Sequence, residues 1–414
     1  MSDLFSADKE EGTPVADVPP ETEFLKDASP LITIVDEIID DGIARGVSDI
    51  HFEPQEDACL VRMRKDGVLQ SIVKLPGYIT QRVVARLKIM ASLDIAEKRI
   101  PQDGRFSRKG RKDNEVDFRV STLPAIYGEK VVLRLLKQNS DDMALDHLGL
   151  SERDRQCFEA VLRTPQGLIL VTGPTGSGKT TTLYAMINAL NTDSRNILTV
   201  EDPVEYRIHG INQVAVNTEA GLTFGKILRA FLRQDPNVIL VGEMRDTETA
   251  EIGMQAAVTG HLVLSTLHTN SAPATISRLI TMGIKPYMIA ASVRLIVAQR
   301  LVRLLCPDCK ALSLLHPDEA ALLTAEEKAS LKTVFGAKGC KKCAMTGYGG
   351  RRPVCEVLPV ESAEMRREIL EGGEEGILLQ AKKEGMIQMR TAALELVAQG
   401  LTSASEAIKV LFSH

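Results

Sequence analysis

The residues with the plainest chemistry are Gly173-Pro174-Thr175-Gly176-Ser177-Gly178-Lys179-Thr180. They fit the spacing G-x-x-x-x-G-K-[ST], which builds a phosphate-binding loop when a strand precedes it and a helix follows. Glycines let successive backbone N–H groups turn inward around phosphates. The start of the following helix adds the positive end of its dipole. Lys179 is placed for the β- and γ-phosphates, and Thr180 for Mg²⁺, with Thr181 beside it. The flanks agree: the apolar run Leu168–Thr172 comes before, and the helix-forming run Lys179–Leu190 after.

Acidic residues follow at the ends of apolar runs. Asn237–Glu243 reads as a buried strand ending in a carboxylate. In enzymes with this loop, the neighbouring strand delivers the carboxylate that serves Mg²⁺ or the attacking water. Glu243 is therefore the candidate for activating water. Glu201, Asp202 and Glu205 close a second apolar strand, Ile197–Glu201, and suit Mg²⁺ and its water shell. Spacing alone leaves open whether Glu243 is the base by itself or shares that role with Glu201. His261 and His268 flank the strand Leu262–Thr266. His268 falls past its C-terminal end, where ligands sit in parallel sheets and a neutral imidazole can sense the γ-phosphate.

A second chemistry is written in cysteine. Cys306-Pro-Asp-Cys309 and Cys340-Lys-Lys-Cys343 are two C-x-x-C pairs, and four thiolates can close a tetrahedral Zn²⁺ site. Such a site has no open position, so its metal is structural. Cys59, Cys157 and Cys355 have no partner at ligand spacing and read as small buried apolar residues.

The elements that must position these groups can be read from periodicity. The chain has 414 residues, 44% hydrophobic and 25% charged, which is the composition of a multi-domain globular protein. Residues 1–30 are rich in Glu, Asp, Pro and Ser and read as a disordered tail or linker. Residues 31–137 read as an α+β domain: a helix from Leu31 ending at Gly46, short strands paired around Asp66-Gly67, a helix over Gln81–Leu93, and strands at Glu115–Ser121 and Lys130–Leu136. A linker and helix are expected over 138–162. Alternating strands and helices over 163–300 predict an α/β nucleotide-binding domain with a parallel sheet. Residues 301–350 hold the cysteines, and 351–414 read as amphipathic helices.

Composition also excludes functions. A net charge of −5 argues against a nucleic-acid binder. There is no export signal, and the most apolar stretch, Met288–Leu305, is broken by Arg294, Arg300 and Arg303. The expectation is a cytoplasmic protein with reduced thiols and no direct membrane insertion.

Taken in order, GPTGSGKT, ILTVEDPVE, DPNVILVGEMRD and TGHLVLSTLHTN resemble the Walker A, Asp, Walker B and His boxes of secretion ATPases. SDIHFEP, AEKRIPQDGR, DFRVSTLP and GEKVVLRLL before the loop, and the four cysteines after it, extend the match over about residues 31–414. The chain resembles the assembly ATPases of type II secretion and type IV pili, often called GspE and PilB. The resemblance implies an α/β RecA-like P-loop NTPase domain, a preceding α+β domain of PAS-like type, a small tetracysteine zinc subdomain, and a mobile linker near 138–150. It implies a homo-hexamer that hydrolyses ATP with Mg²⁺ to drive pseudopilus or pilus assembly. It also implies that Arg119 and Arg134 swing onto the γ-phosphate, and that Arg229, Arg233 and Arg245 approach the site or cross subunit interfaces. The implied partners are an inner-membrane platform protein and a membrane-anchored cytoplasmic domain, which would hold the motor peripherally at the inner membrane. Two features depart from the pattern. About 30 linker-like residues stand where the secretion branch usually has a docking domain, and the usual Tyr-Glu after the cysteines reads Cys355-Glu356. Retraction ATPases of pili generally lack the tetracysteine. The competing readings are a RecA-like nucleic-acid translocase and a non-hydrolysing nucleotide-switch regulator, the latter opposed by the acids at 201, 202 and 243.

Overall fold

The computed structural model describes residues 28–109, 115–136 and 144–412, which fall into two units, 1–138 and 139–414. The tail expected over 1–30 and the linker expected from 138 lie outside the described residues, apart from 28–30 and the part from 144 onward.

The first unit is built on alternation. Helix α1 (Ala28–Arg45) leads into strands β1 (Asp49–Pro54), β2 (Ala58–Lys65) and β3 (Val68–Pro76). Helix α2 (Thr80–Met90) is followed by β4 (Gln102–Lys109), β5 (Glu115–Ala125) and β6 (Gly128–Leu136). The strands form one antiparallel sheet in the order β3-β2-β1-β6-β5-β4. Ile50, Phe52, Val61, Met63, Phe118, Val120 and Leu133 pack one face against Val35 and Ile39 of α1 and Val83 and Leu87 of α2. The alternate residues make a polar face. Strand β4 was not anticipated from sequence. It is a sheet edge with Phe106 as its one large apolar residue, so it carries little hydrophobic signal. Phe106 stacks on Phe118 with ring centroids 4.7 Å apart.

The second unit opens with α3 (Glu152–Leu162), capped by Ser151, whose hydroxyl accepts from the Asp154 N–H. Then come β7 (Gly167–Thr172), α4 (Lys179–Leu190), β8 (Ile197–Glu201), β9 (Asn212–Ala215), α5 (Phe224–Phe231), β10 (Val238–Val241), α6 (Thr247–Val258), β11 (Leu262–Leu267), α7 (Ala272–Thr281) and α8 (Pro286–Ser292). Beyond them lie β12 (Val293–Leu305), β13 (Lys310–Ser313), α9 (Pro317–Ala321), α10 (Ala325–Ser330), β14 (Val334–Ala337), β15 (Tyr348–Pro359), α11 (Ala363–Glu371), α12 (Gly373–Lys383), α13 (Met389–Ala398) and α14 (Ala404–Phe412). A seven-stranded sheet runs β15-β12-β7-β11-β10-β8-β9, parallel throughout except for β15. Every residue of β7, β8, β10 and β11 is buried, which is why these strands read as continuous apolar runs rather than alternating ones.

Two features of this sheet correct the sequence reading. The strand carrying Glu243 is not the neighbour of the phosphate-loop strand, because β11 lies between β7 and β10. A boundary at 300 falls inside β12, a thirteen-residue strand that joins the main sheet beside β7 and pairs along most of its length with β15. The arginines that break its apolar run are each satisfied. Arg300 donates to Asn270 Oδ1 at 3.1 Å, and Arg303 pairs with Glu406 at 2.6 Å while its guanidinium lies 4.0 Å over the Tyr348 ring. The tail is therefore part of the ATPase sheet, through β15, and not a separate helical region. No described helix is long and apolar enough to cross a membrane.

Glu356 ties the tail helices down. It is buried, and its carboxylate accepts from the N–H of Ala272 at 2.8 Å and of Met389 at 3.3 Å, the first residues of α7 and α13. Burial pushes its pKa up, and the two N–H bonds work against that rise. Cys355 beside it is buried, as is Cys59, whereas Cys157 is only half-buried, against expectation. Glu356→Ala would strand two helix-start donors and is expected to cost about 2–4 kcal/mol. Thermal unfolding followed by circular dichroism checks this, and an unchanged midpoint would remove Glu356 from the role.

Candidate nucleotide site

The turn from β7 into α4 makes the phosphate cradle. Gly173, Gly176 and Gly178 all take positive φ, at 144°, 79° and 88°. At Gly173 any side chain is excluded: a Cβ would lie 2.3 Å from the Gln299 carbonyl oxygen and 2.7 Å from Ser177 Oγ. Gly178 caps α4 in the left-handed region, so the first N–H groups of the helix are presented by a residue that bears no Cβ strain. Pro174, Thr175 and Gly176 form the exposed rim. The Lys179 ammonium is held by the carbonyls of Gly173 at 2.8 Å and Pro174 at 3.1 Å. Its pKa is lowered by burial, with Glu243 acting in the opposite direction. Thr180 faces the cleft, while Thr181 is exposed on the outer side of the first turn.

Lys179 and Thr180 line a cleft of about 620 Å³ together with Glu201, Asp202, Glu205, Glu243 and His268. It lies at the C-terminal ends of β8, β10 and β11, where a parallel sheet collects ligand groups. The acids in it are held differently. Glu201 is buried and held by three donors: its carboxylate accepts from the Tyr184 hydroxyl, from Thr199 Oγ1 at 2.7 Å and from Gln213 Nε2 at 3.2 Å. Burial and the Glu201 charge together push the Tyr184 hydroxyl far up, so it stays a donor. Glu201 thus forms the floor of the site. Tyr184, Thr199 and Gln213 had no motif signal and are found only by their convergence on it.

Glu243 is placed from the side. Gly242 N–H bonds the Val200 carbonyl at 2.8 Å, Met244 N–H bonds the Thr266 carbonyl at 3.1 Å, and Thr266 Oγ1 bonds the Gly242 carbonyl at 2.7 Å. The inserted strand β11 therefore clamps both flanks of Glu243. The Glu243 carboxylate meets Arg245, and its other oxygen is 3.6 Å from His268 Nε2. Arg245 also lies 3.5 Å from Asp202, and the Glu243 bond raises its pKa. Thr180, Asp202, Glu205 and Glu243 give the hydroxyl and carboxylate oxygens that suit Mg²⁺.

Other expected residues stand elsewhere. His261 is a correction. It precedes β11, at the opposite end of that strand from His268, and its Nδ1 lies 3.0 Å from the Ala256 carbonyl as part of the turn after α6. Arg229 is on the exposed side of α5 and Arg233 is exposed in the turn just after it, both outside the cleft lining. Arg229 pairs with Glu248, and Arg233 donates to the Arg229 carbonyl at 2.9 Å.

Arg119 and Arg134 belong to the first unit, directly opposite each other on β5 and β6. The register extends the row across the polar face: Arg64, Asp49, Arg134, Arg119 and Arg105 are successive partners on β2, β1, β6, β5 and β4. Asp49 is buried and takes Arg134 Nε at 2.9 Å and Arg64 Nε at 3.6 Å. Arg134, Arg119 and Arg105 thus bring like charges to directly opposed positions, an arrangement that costs stability by itself, and Asp49 offsets it at Arg134 and Arg64. Arg64 and Arg105 escaped sequence reading because only the pairing brings them into line.

The four cysteines converge. Sγ–Sγ distances are 3.9 Å for Cys306–Cys340, 3.8 Å for Cys309–Cys343 and 3.7 Å for Cys340–Cys343, with all four sulfurs within 4.8 Å of one another. Zinc–thiolate bonds of about 2.3 Å make tetrahedral edges of about 3.8 Å, so the donor set fits that ion. These separations are far beyond a disulfide bond. Backbone N–H groups of Cys340 and Gly347 point at Cys343 Sγ from 3.1 and 3.2 Å, as donors do toward a thiolate.

Residues 24–409 match the family described as "Type II/IV secretion system protein". The type II secretion system protein E of Pseudomonas aeruginosa is 48% identical over 401 residues, which are 96% of this chain and 79% of that protein. The type IV pilus assembly ATPase PilB of the same organism is 48% identical over 386 residues, 93% of this chain and 68% of that protein. Among solved structures, the pilus retraction motor PilT with bound ADP superposes with a TM-score of 0.60 at 28% identity, covering 90% of this chain and 96% of PilT. The ATPase DotB of Legionella pneumophila shares the fold, with a TM-score of 0.67 at 21% identity over 92% of this chain and 96% of that one. By its profile match, its identity to these relatives and the phosphate loop facing Glu243, the chain belongs to the type II/IV secretion system protein family, a family of ATP-hydrolysing enzymes.

Proposed function

We propose that the chain is the hexameric motor ATPase of a machine that assembles a pseudopilus or a pilus, in type II secretion or type IV pilus biogenesis. The observation that carries this reading is the single cleft in which Lys179 and Thr180 face Glu243 and His268, in a chain that also bears an arginine row and a tetracysteine cluster.

In this reading the loop N–H groups from Gly173 to Thr180 and the start of α4 bind the phosphates. Lys179 leaves its carbonyl partners for the β- and γ-oxygens. Mg²⁺, held by Thr180 and through water by Asp202 and Glu205, would supply charge neutralisation on the phosphates. Glu243 accepts the proton of the attacking water, and Arg245 and His268 fix the orientation of its carboxylate. Glu201, held by three donors, forms the floor of the site in this reading, and Glu243 alone takes the role of base. Arg119 and Arg134 supply guanidinium charge that stabilises the transferring γ-phosphoryl group. Arg229, exposed on α5, and Arg233, exposed just after it, face a neighbouring subunit. Zinc in the tetracysteine cluster is structural. The partners are an inner-membrane platform protein and a membrane-anchored cytoplasmic domain, with the motor at the cytoplasmic side. Relatives from the secretion and pilus branches are equally similar at 48%, so both machines stay within the proposal. The acidic balance of the chain, −5 overall, disfavours a nucleic-acid track.

Steady-state ATPase assays test the site. Lys179→Ala is expected to lose at least about 100-fold in turnover, and Glu243→Gln about 100- to 1,000-fold while still binding ATP. Full activity of Lys179→Ala would sink the reading. Arg119→Ala and Arg134→Ala should each lower kcat by about tenfold or more with little change in KM, since their charge acts on the transferring group. A rise in KM at constant kcat would instead make them ordinary binding residues. For the metal, denaturing the purified chain should release about one zinc per chain to a colorimetric indicator, and Cys309→Ser should release far less and melt several degrees lower. An unaltered melting point with no zinc in the parent chain would overturn the assignment.

A further inference from the structure

Gln299 is a buried amide that neither the nucleotide nor the metal chemistry has used. It lies on β12, one position beyond Ala298, which pairs with Thr172 at the end of β7. Its side chain therefore sits beside the point where the phosphate loop begins. It is 2% exposed, and both ends of its amide are engaged. Its oxygen accepts from Thr182 Oγ1 on α4 at 2.7 Å, and its nitrogen donates to the Ser177 carbonyl in the loop at 2.8 Å. The orientation is determined, because the flipped amide would set oxygen against the Ser177 carbonyl oxygen. The residue also touches both ends of the loop. Its carbonyl oxygen is what a Cβ at Gly173 would strike, and its Nε2 lies 2.8 Å from where a Cβ at Gly178 would stand.

We propose that Gln299 is a positioning residue of the phosphate loop, which sets the peptide plane between Ser177 and Gly178 and with it the direction of the Gly178 N–H. A peptide is planar and trans, so fixing the Ser177 carbonyl fixes the Gly178 N–H on its opposite side. Phosphate binding by such a loop depends on the direction of those N–H groups. A carbonyl free to rotate toward the cleft would present a partial negative charge to the phosphates. A buried side chain that only filled space at this place, against Leu301, would not need an amide. The neighbouring residue holds a second segment. Arg300 reaches Asn270, two residues beyond His268, so consecutive positions of β12 hold the loop and the segment after His268. The strand that runs into Cys306 thus ends its path from the tetracysteine cluster on the phosphate loop.

The test uses the full chain with Mg²⁺ and ATP, comparing Gln299→Leu, Gln299→Glu, Thr182→Val and the Gln299→Leu/Thr182→Val double variant. Gln299→Leu and Thr182→Val should each raise KM for ATP by about tenfold, with kcat within about threefold, because the loop binds ground state and transition state alike. The double variant should match Gln299→Leu within about twofold, since both changes break one chain of bonds. Gln299→Glu keeps the acceptor for Thr182 but opposes the Ser177 carbonyl, and should be at least as impaired as Gln299→Leu. Fluorescent ADP binding should weaken in parallel with KM. The inference would be overturned by an unchanged KM in folded Gln299→Leu, by multiplicative effects in the double variant, or by a loss of kcat at constant KM. If Gln299→Leu does not fold, Thr182→Val decides, since valine keeps the shape of threonine; failure of both to fold would make Gln299 a core residue and nothing more. The parent chain, assayed alongside, reports separately on whether the loop serves ATP hydrolysis at all.

Discussion

The turn from β7 into α4 is the constraint on which the nucleotide-binding unit depends. A loop that binds phosphate with backbone N–H groups must reverse direction within a few residues, keep its carbonyls outward and stay rigid. Three glycines at positive φ permit the reversal. Rigidity comes from outside the loop. Strand β7 is buried along its length and flanked by β11 and β12, so the point of departure cannot shift. Helix α4 is buried over most of its length and holds the other end. The ammonium of Lys179, bonded to two loop carbonyls, closes the structure on itself until an anion competes for it.

With that turn in place, the remaining groups are positioned by strand ends rather than by loops of their own. Placing β11 between β7 and β10 widens the cleft by one strand and puts His268 between the loop and Glu243. The same strand holds Glu243 through Thr266, whose backbone and hydroxyl clamp residues 242 and 244. The acids then separate by environment. Glu201 is buried among three donors, while Glu243 meets Arg245 and His268, and both line the cleft. Two carboxylates that read alike in sequence thus stand in different environments, one among neutral hydrogen-bond donors and the other beside a guanidinium and an imidazole.

Charge is distributed in the opposite sense in the first unit. On its polar sheet face Arg119 and Arg134 oppose each other on neighbouring strands, with buried Asp49 as a counter-charge to Arg134 and Arg64. The tail of the chain follows a different logic. Strand β15 and the carboxylate of Glu356 bind the last helices into the second unit, so the cysteine cluster is anchored at both ends to the ATPase sheet.

Much of the site was legible because its chemistry is local. Gly173 to Thr180 specify a turn through backbone freedom, and Glu243 and His268 follow apolar runs that can only be buried parallel strands. The two C-x-x-C pairs carry their ligand geometry in their spacing. What depends on pairing was hidden. Nothing in the polar run of β4 marks a strand, and nothing in the arginine-broken run of β12 separates a buried strand from a failed helix until Asn270, Glu406 and Tyr348 supply partners. His261 and His268 look equivalent as flanking histidines, but a strand has two ends and only one meets the cleft. The sequence by itself therefore determined the phosphate loop, the acids and the cysteine cluster, since each is set by residues close along the chain. Strand order, the arginine row and the hold of Gln299 on the loop were decided by tertiary structure alone, because they rest on hydrogen bonds between residues that only the sheet brings together.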